Sequence, residues 1–276
     1  MSRTARTRPP GPRVSRVVFL RHGQSSWNRE RRFTGWVDVP LNAAGRRQAE
    51  QAGRLLAGKG FRFDVGFTSV LSRASETLDI VLASMGTPDA ARIESTWRLN
   101  ERHYGVLQGV PKAEARRRYG EEQMFRWVRS FDVAPPPLSG EELAKLRTDP
   151  LYADVDRRDL PATESLADTL ARTLPFWEDS IAPAVRAGRS VLVVSHLNCV
   201  RALIRHFEDV SNESIATVSV HTGEPFVIDF GADLVPLRRY YLRFRPHLAL
   251  TRLARKVGRR RKARAWLASE GVSSDA

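Results

Sequence analysis

The chain has 276 residues, of which 42% are apolar and 28% charged, enough to bury the core of one large α/β domain or two small ones and too apolar for disorder throughout. Cys199 is the only cysteine, which excludes an intrachain disulfide, a thiolate zinc cluster and a paired-thiol redox motif and fits a reducing, cytoplasmic setting. The formal net charge of +14 suggests nucleic acid only until it is divided along the chain: residues 1–16 hold five Arg and no acid, and residues 243–276 hold ten Lys or Arg against Glu270 and Asp275, which leaves 30 basic and 29 acidic residues between 17 and 242.

The sequence divides into a disordered basic leader (1–16), a catalytic body (17–242) and a basic, partly helical tail (243–276). The leader lacks the apolar middle segment of a secretory signal. Its Arg-rich composition resembles a transit peptide, but Arg8-Pro-Pro-Gly-Pro12 resists an amphipathic helix. No apolar run approaches the roughly 20 residues of a membrane helix, so the chain reads as soluble.

Val17-Val-Phe-Leu-Arg21 is a short apolar run that stops at His22-Gly23, the pattern of a buried strand. Asn42 is positioned to cap a helix with Ala49, Ala52, Leu55 and Leu56 on one face. Residues 63–68 read as a second strand, followed by a helix carrying Ala74, Leu78, Val81 and Leu82. Lys112 to Ser130 reads as one charged helix, and Pro135-Pro-Pro137 opens a long loop. Thr163 to Arg186 reads as helix interrupted near Pro175 and Pro183. Val191–Ser195 is a further buried strand, feeding a helix from His196 to about Glu208, and Phe226–Phe230 is another strand. Alternating strands and helices predict one α/β domain, a three-layer sandwich with a mostly parallel central sheet flanked by helices.

Ligands of such sheets bind outside the carboxyl ends of the strands, and two of those ends carry histidine, at Arg21-His22-Gly23 and at Ser195-His196. A neutral imidazole beside a guanidinium and a glycine suits a phosphoryl-accepting nucleophile. Ser25 and Asn28 are spaced to reach the same anion, and Arg73 adds a second guanidinium fork. Phosphoryl transfer needs in-line placement and charge neutralisation, which Arg21, Arg73 and His196 would supply, while Glu101 offers a carboxyl for proton transfer at the leaving or attacking oxygen. Each item alone has a plain structural reading: a satisfied buried histidine, a solvated arginine, a surface Glu101–Arg102 pair. A metal trio of His22, His103 and His196 matches no ligand spacing. The residues gain weight by occurring together and in order.

Together they resemble the 2,3-bisphosphoglycerate-dependent phosphoglycerate mutases of the histidine phosphatase superfamily. The matching strings are Leu20-Arg-His-Gly-Gln-Ser-Ser-Trp-Asn28, Arg32-Phe-Thr-Gly-Trp36, Phe67-Thr-Ser-Val-Leu-Ser-Arg-Ala74, Trp97-Arg-Leu-Asn-Glu-Arg-His-Tyr-Gly105, Thr222-Gly-Glu-Pro225 and Leu237-Arg-Arg-Tyr-Tyr-Leu242. The resemblance implies a phosphoglycerate mutase-like fold, with His22 as the phosphohistidine, Glu101 as proton donor and acceptor, and Arg21, Arg73 and His196 clamping the transferred group. It places Ser25, Asn28, Thr34, Gly35, Arg102, Tyr104, Lys112, Arg129 and Asn198 around the substrate's phosphates and carboxylate. It also implies a 2,3-bisphosphoglycerate primer, no metal and a homo-oligomer. On this basis the chain interconverts 3-phosphoglycerate and 2-phosphoglycerate in glycolysis and gluconeogenesis; a histidine phosphatase acting on a small phosphorylated metabolite is the second reading, and a non-catalytic binding protein the third.

The sequence departs from the family pattern in several places. Leu197 replaces a glycine, so it either crowds the pocket or turns away. Val128 replaces an arginine, and a lost charged hydrogen bond is worth roughly 1.5–3 kcal/mol. Pro111 replaces an asparagine at a helix start, where proline is well tolerated, and the segment from Leu138 to Tyr152 is shorter than usual. Beyond Leu242 the resemblance ends: Leu250, Leu253 and Val257 alternate with basic residues in a segment that could meet an acidic membrane or nucleic acid, although a solvated tail is the simpler reading.

Overall fold

The computed structural model describes residues 14–87, 91–231 and 233–242. The expected disordered leader, as far as residue 13, and the basic, partly helical tail from 243 therefore lie outside the described residues. The boundary at residue 16 is corrected, because Ser15 and Arg16 already belong to the first strand, β1 (Ser15–Arg21).

Why β1 is an unbroken apolar run follows from its two faces. Val17 and Phe19 join one core cluster and Val18 and Leu20 another, all nearly inaccessible. The strand β4 (Val191–Ser195) divides the same way, Val191 and Val193 from Leu192 and Val194. Strands covered on both sides lose the polar alternation of a half-exposed strand. With β2 (Val65–Thr68), β3 (Arg92–Ser95), β5 (Phe226–Phe230) and β6 (Pro236–Tyr241) they form a six-stranded sheet in the order β3-β2-β4-β1-β5-β6. The pairs β2–β3, β2–β4 and β1–β4 are parallel; β5 runs antiparallel to both neighbours.

Helices α2 (Ala43–Gly58) and α3 (Ser72–Ser84) cover one face and α7 (Leu166–Phe176), α8 (Ala182–Arg186) and α9 (Leu197–Glu208) the other. This is the expected three-layer α/β architecture. Asn42 caps α2, its side chain accepting from Gly45 N at 2.9 Å.

The structure corrects several local expectations. Lys112 to Ser130 is two helices, α4 (Lys112–Tyr119) and α5 (Glu121–Arg129), because Gly120 takes φ +79° and ends the first. Pro175 stays inside α7; the helix widens into a π turn over Trp177–Ile181 before α8, a local accommodation of the missing N–H. The loop after Pro137 contains a short helix, α6 (Gly140–Leu146), started by a Ser139–Glu142 capping box. The short elements α1 (Ser26–Arg29) and α10 (Asn212–Ile215), and the strands β3 and β6, carry too few apolar residues for a periodicity signal.

One backbone contact fixes the loop after β1. A Cβ on Gly23 would meet the Gly45 carbonyl oxygen at 2.3 Å, and one on Gly45 would meet the Gln24 carbonyl oxygen at 2.1 Å. The glycines let the first turn of α2 lie directly on the His22 loop, and Gln24 O accepts Asn42 N at 3.0 Å. Gly45→Ala is therefore expected to destabilise the protein by about 1–3 kcal/mol through overpacking, although alanine within a helix ordinarily gains roughly 0.5–1 kcal/mol over glycine. Urea denaturation reads the sign; a gain in stability would show that the two segments can separate freely.

Candidate active site

The β1–β4 pairing runs in parallel register to Arg21 opposite Ser195, and His22 N donates to Ser195 O at 2.9 Å. His22 and His196 thus leave adjacent strand ends together, with ring centroids 4.9 Å apart. Next along the sheet, β2 ends at Thr68; Ser69 follows, and its Oγ lies 2.7 Å from His196 Nε2. The helix that begins there, α3, delivers Arg73 on its first turn.

His22 Nδ1 lies 2.6 Å from the Gly23 carbonyl oxygen. A carbonyl can only accept, so Nδ1 carries the proton and Nε2 keeps its lone pair. Burial, and then the positive charges of Arg73 and Arg21, push the His22 pKa well below the usual imidazole value. The same burial, with Arg73 and His22 beside it, depresses His196. Both rings are neutral at pH 7, which corrects the expectation that His196 itself brings positive charge. The charge resides in the guanidiniums: Arg73 is 1% exposed and donates to Gly35 O at 2.7 Å and Val37 O at 2.9 Å, and burial lowers its pKa to about 10, still protonated. Arg21 donates to Val220 O at 3.2 Å.

Those residues open on a cavity of about 50 Å³ lined by Arg21, His22, Asn28, Arg32, Phe33, Thr34, Gly35, Arg73, Glu101, Tyr104, Lys112 and Leu197. A single water needs about 10–15 Å³ in such a space, so several waters or one phosphoryl group fit. Buried Arg21 Nε, Thr34 Oγ1 and Arg73 Nε have no hydrogen-bond partner among the described residues. Donors of that kind at a cavity wall are matched by the several acceptor oxygens of a phosphoryl group. Gly35 sits at φ +56°, where a Cβ would fall 2.1 Å from Gln108 Oε1; that amide oxygen instead accepts Trp36 N at 2.6 Å and holds the loop in place.

Glu101 is fixed by three donors to one oxygen: Arg102 N at 2.8 Å, Asn198 N at 3.1 Å and Asn198 Nδ2 at 3.0 Å all meet Oε1. Oε2 is left for the cavity that Glu101 lines. The backbone beneath is gathered by Arg172, which donates to the carbonyls of Trp97, Arg98, Asn100 and Glu101 and pairs with Glu164 at 2.6 Å. Glu164 in turn accepts His103 N at 2.8 Å. Both partners of this ion pair are almost wholly buried.

Of the fourteen expected site residues, nine line the cavity: Arg21, His22, Asn28, Thr34, Gly35, Arg73, Glu101, Tyr104 and Lys112. The other five lie behind it. Ser25 is engaged in a reciprocal capping box with Asn28, so its side chain serves α1. His196 packs on His22, and Asn198 joins Glu101 to Tyr104 Oη at 2.9 Å. Arg102 stacks on the Tyr104 ring at 4.8 Å, and Arg129 donates to Ala216 O at 3.3 Å. Leu197 lines the cavity, and Val128 packs beside Phe33, Tyr104, Met124 and Trp127.

The sequence matches the Histidine phosphatase superfamily (branch 1) over residues 17–149 and 146–242. The chain belongs to that superfamily. Its members are phosphoryl-transfer enzymes. Similar folds include a mycobacterial hydrolase (22% identity, covering 83% of this chain and 97% of that chain, TM-score 0.62) and a mycobacterial glucosyl-3-phosphoglycerate phosphatase solved with VO3 (24% identity, 78% and 92%, TM-score 0.59). A phosphoglycerate mutase from Bacillus anthracis str. Sterne is similar at 21% identity over 83% of this chain and 93% of that chain, with a TM-score of 0.59. No helix among the described residues is long and apolar enough to cross a membrane.

Sequence reasoning missed Arg32 and Phe33 as cavity walls, although both stand in the Arg32–Trp36 string, and it missed Ser69, Glu164, Arg172 and Arg201. Arg172 and Arg201 lie at otherwise apolar helix faces, the one signal available: a charge at a buried position requires a partner.

Two outcomes follow. Arg172→Met strands Glu164 without a counter-charge and is expected to cost about 3–5 kcal/mol, read as a lower urea midpoint; an unchanged midpoint would mean that water reaches Glu164. Acidification supplies the second. His22, His103 and His196 are neutral in the fold, His103 lowered to about 3 by burial and Arg172, whereas unfolded imidazoles titrate near 6.5. The unfolded chain then binds more protons below that value, so this contribution to stability is full above about pH 6.5 and falls by up to about 1.4 kcal/mol per pH unit per group as pH drops. His103→Gln should flatten the pH dependence of the urea midpoint; an unaltered slope would show that His103 takes up a proton as readily in the fold as in the unfolded chain.

Proposed function

We propose that this enzyme moves phosphoryl groups through His22 and acts on phosphoglycerates as a mutase, interconverting 3-phosphoglycerate and 2-phosphoglycerate. The observation carrying the reading is the fixed tautomer of a neutral His22 beside Arg73, within one cavity with Glu101. Nε2 attacks phosphorus as the ester P–O bond breaks, Arg21 and Arg73 neutralise the equatorial oxygens, and Glu101 gives its proton to the departing oxygen. In the return direction its carboxylate takes the proton of the attacking hydroxyl. Besides Arg21 and Arg73, Arg32 and Lys112 line the cavity against Glu101 as its one acidic side chain, which suits a substrate bearing a second anionic group.

A 2,3-bisphosphoglycerate primer would supply the phosphoryl group that charges His22. The unpartnered donors Arg21 Nε, Thr34 Oγ1 and Arg73 Nε are suited to its transferred phosphate, and Lys112 and Arg32 to its other acidic groups.

A second reading, hydrolysis on the same site, has its own observation. Val128 offers no cation and packs in an apolar cluster, while Arg129 donates to the Ala216 carbonyl, so the monophosphorylated molecule beside phospho-His22 is held less firmly and water can replace it as the acceptor.

The test incubates the purified protein with 3-phosphoglycerate, with and without 2,3-bisphosphoglycerate, and measures 2-phosphoglycerate and free phosphate together. Primer-dependent 2-phosphoglycerate that vanishes in His22→Ala is expected. Free phosphate alone would establish a phosphatase instead, and no product of either kind would remove phosphoglycerate as the substrate.

A further inference from the structure

Arg201 lies in α9, 2% exposed, and among the described residues no carboxylate lies within ion-pair distance of it. Its guanidinium donates from Nη1 to Asn198 Oδ1 at 2.9 Å and from Nη2 to Ile215 O at 2.8 Å. Burying a guanidinium without a counter-ion is costly, so its placement calls for a reason beyond filling space.

The reason lies in what each group can do. Arginine only donates, so the Asn198 amide must turn its oxygen to Arg201. Its Nδ2 hydrogens are thereby directed the other way, to Glu101 Oε1 at 3.0 Å and Tyr104 Oη at 2.9 Å. With the amide reversed, its oxygen would face the Glu101 oxygen, acceptor against acceptor. Ile215 O fixes the other arm of the fork and with it the guanidinium plane.

We propose that Arg201 is a positioning residue that acts through Asn198: it selects the amide orientation that pins Glu101 Oε1 and leaves Oε2 directed at the departing oxygen. The inference rests on Glu101 being the proton donor, as read above, and concerns a residue outside the cavity.

A proton donor matters in proportion to the basicity of the group that leaves. When His22 Nε2 forms its bond to phosphorus and the P–O bond of an aryl phosphate breaks, phenolate requires a proton far more than 4-nitrophenolate does. The experiment therefore measures single-turnover phosphorylation of His22 by phenyl phosphate and by 4-nitrophenyl phosphate in wild type, Arg201→Met, Arg201→Lys, Asn198→Ala, Glu101→Gln and the Arg201→Met/Asn198→Ala pair. A misdirected donor should slow the phenyl phosphate reaction of Arg201→Met by about 10- to 100-fold and leave the 4-nitrophenyl phosphate reaction within about threefold. Asn198→Ala should share this selectivity, and the double variant should lose no more than the worse single, since both act on one path.

Lysine keeps the charge but offers one ammonium where the fork reaches two oxygens, so Arg201→Lys should fall between wild type and Arg201→Met. It also carries the test if Arg201→Met does not fold. Equal slowing of both substrates, or additive loss in the double variant, overturns the inference and makes Arg201 a packing residue. If Glu101→Gln alone shows the selectivity, the inference fails and the reading of Glu101 stands. If Glu101→Gln lacks it as well, the reading of Glu101 fails first.

Discussion

The parallel pairing of β1 with β4 is the constraint on which the site depends. Its register ends with Arg21 opposite Ser195 and is continued by the hydrogen bond from His22 N to Ser195 O. Because the strands run in the same direction and end in register, their next residues, His22 and His196, emerge from one edge of the sheet side by side. A slip of one residue would turn every inward side chain of β1 outward. Since Val17, Phe19, Val18 and Leu20 are buried on alternate faces, neither cluster would keep its members. The apolar packing that holds the sheet thereby also fixes the distance between the imidazoles, and β2, on the far side of β4, adds Ser69 and Arg73 from the same edge.

Around that edge the protein buries more cationic than anionic groups. Arg73, Arg102 and Arg201 are among its largest fully buried side chains, and each directs donors at main-chain or amide oxygens instead of carboxylates. Carbonyl dipoles hold a guanidinium in place without cancelling its charge. A carboxylate would do both, as Glu164 does for Arg172, and there the pair serves the backbone under Glu101 without facing the cavity. Ion pairing serves where a strut is needed; at Arg73, on the cavity wall, carbonyl dipoles leave the charge available to an incoming anion. Burial, reinforced by the same positive field, keeps His22 from taking a proton and leaves its lone pair available for phosphorus.

The sheet and the transfer residues were legible in the sequence because each left a local trace. Four-residue apolar runs ending in histidine mark strands covered on both faces, and Asn42 marks a helix start. The parts that were not legible are relations between distant segments. Nothing near Ser25 says that its hydroxyl will be used by its own capping box, and nothing near Arg201 says that an amide three residues earlier will take one arm of its fork and the carbonyl at Ile215 the other. Gly120 lies between two helical patterns that join smoothly in sequence, so only its left-handed backbone reveals the break. The phosphoryl-transfer reading gave His196 a charge; burial, with the neighbouring guanidiniums, removes it.

The transfer end and the holding end of the cavity are built by different chemistry, and this separates their responses to substitution. At the transfer end the donors are on strand ends and the first turn of α3, anchored by the sheet. At the holding end Phe33, Tyr104 and Val128 form a small apolar cluster with α4 and α5, and Arg129 and Arg201 grip successive carbonyls at Ala216 and Ile215. On the proposed transfer through His22, whether a substrate hydroxyl or water receives the phosphoryl group depends on how firmly the dephosphorylated molecule is held beside phospho-His22. Loss of a holding-end cation that does not act through Glu101 would shorten retention alone, whereas loss of Arg201 would also reach the transfer step through Asn198 and Glu101. On the proposed mechanism Val128 and Leu197 thus bear on which acceptor is held, while Arg21, Arg73 and Glu101 bear on the transfer itself.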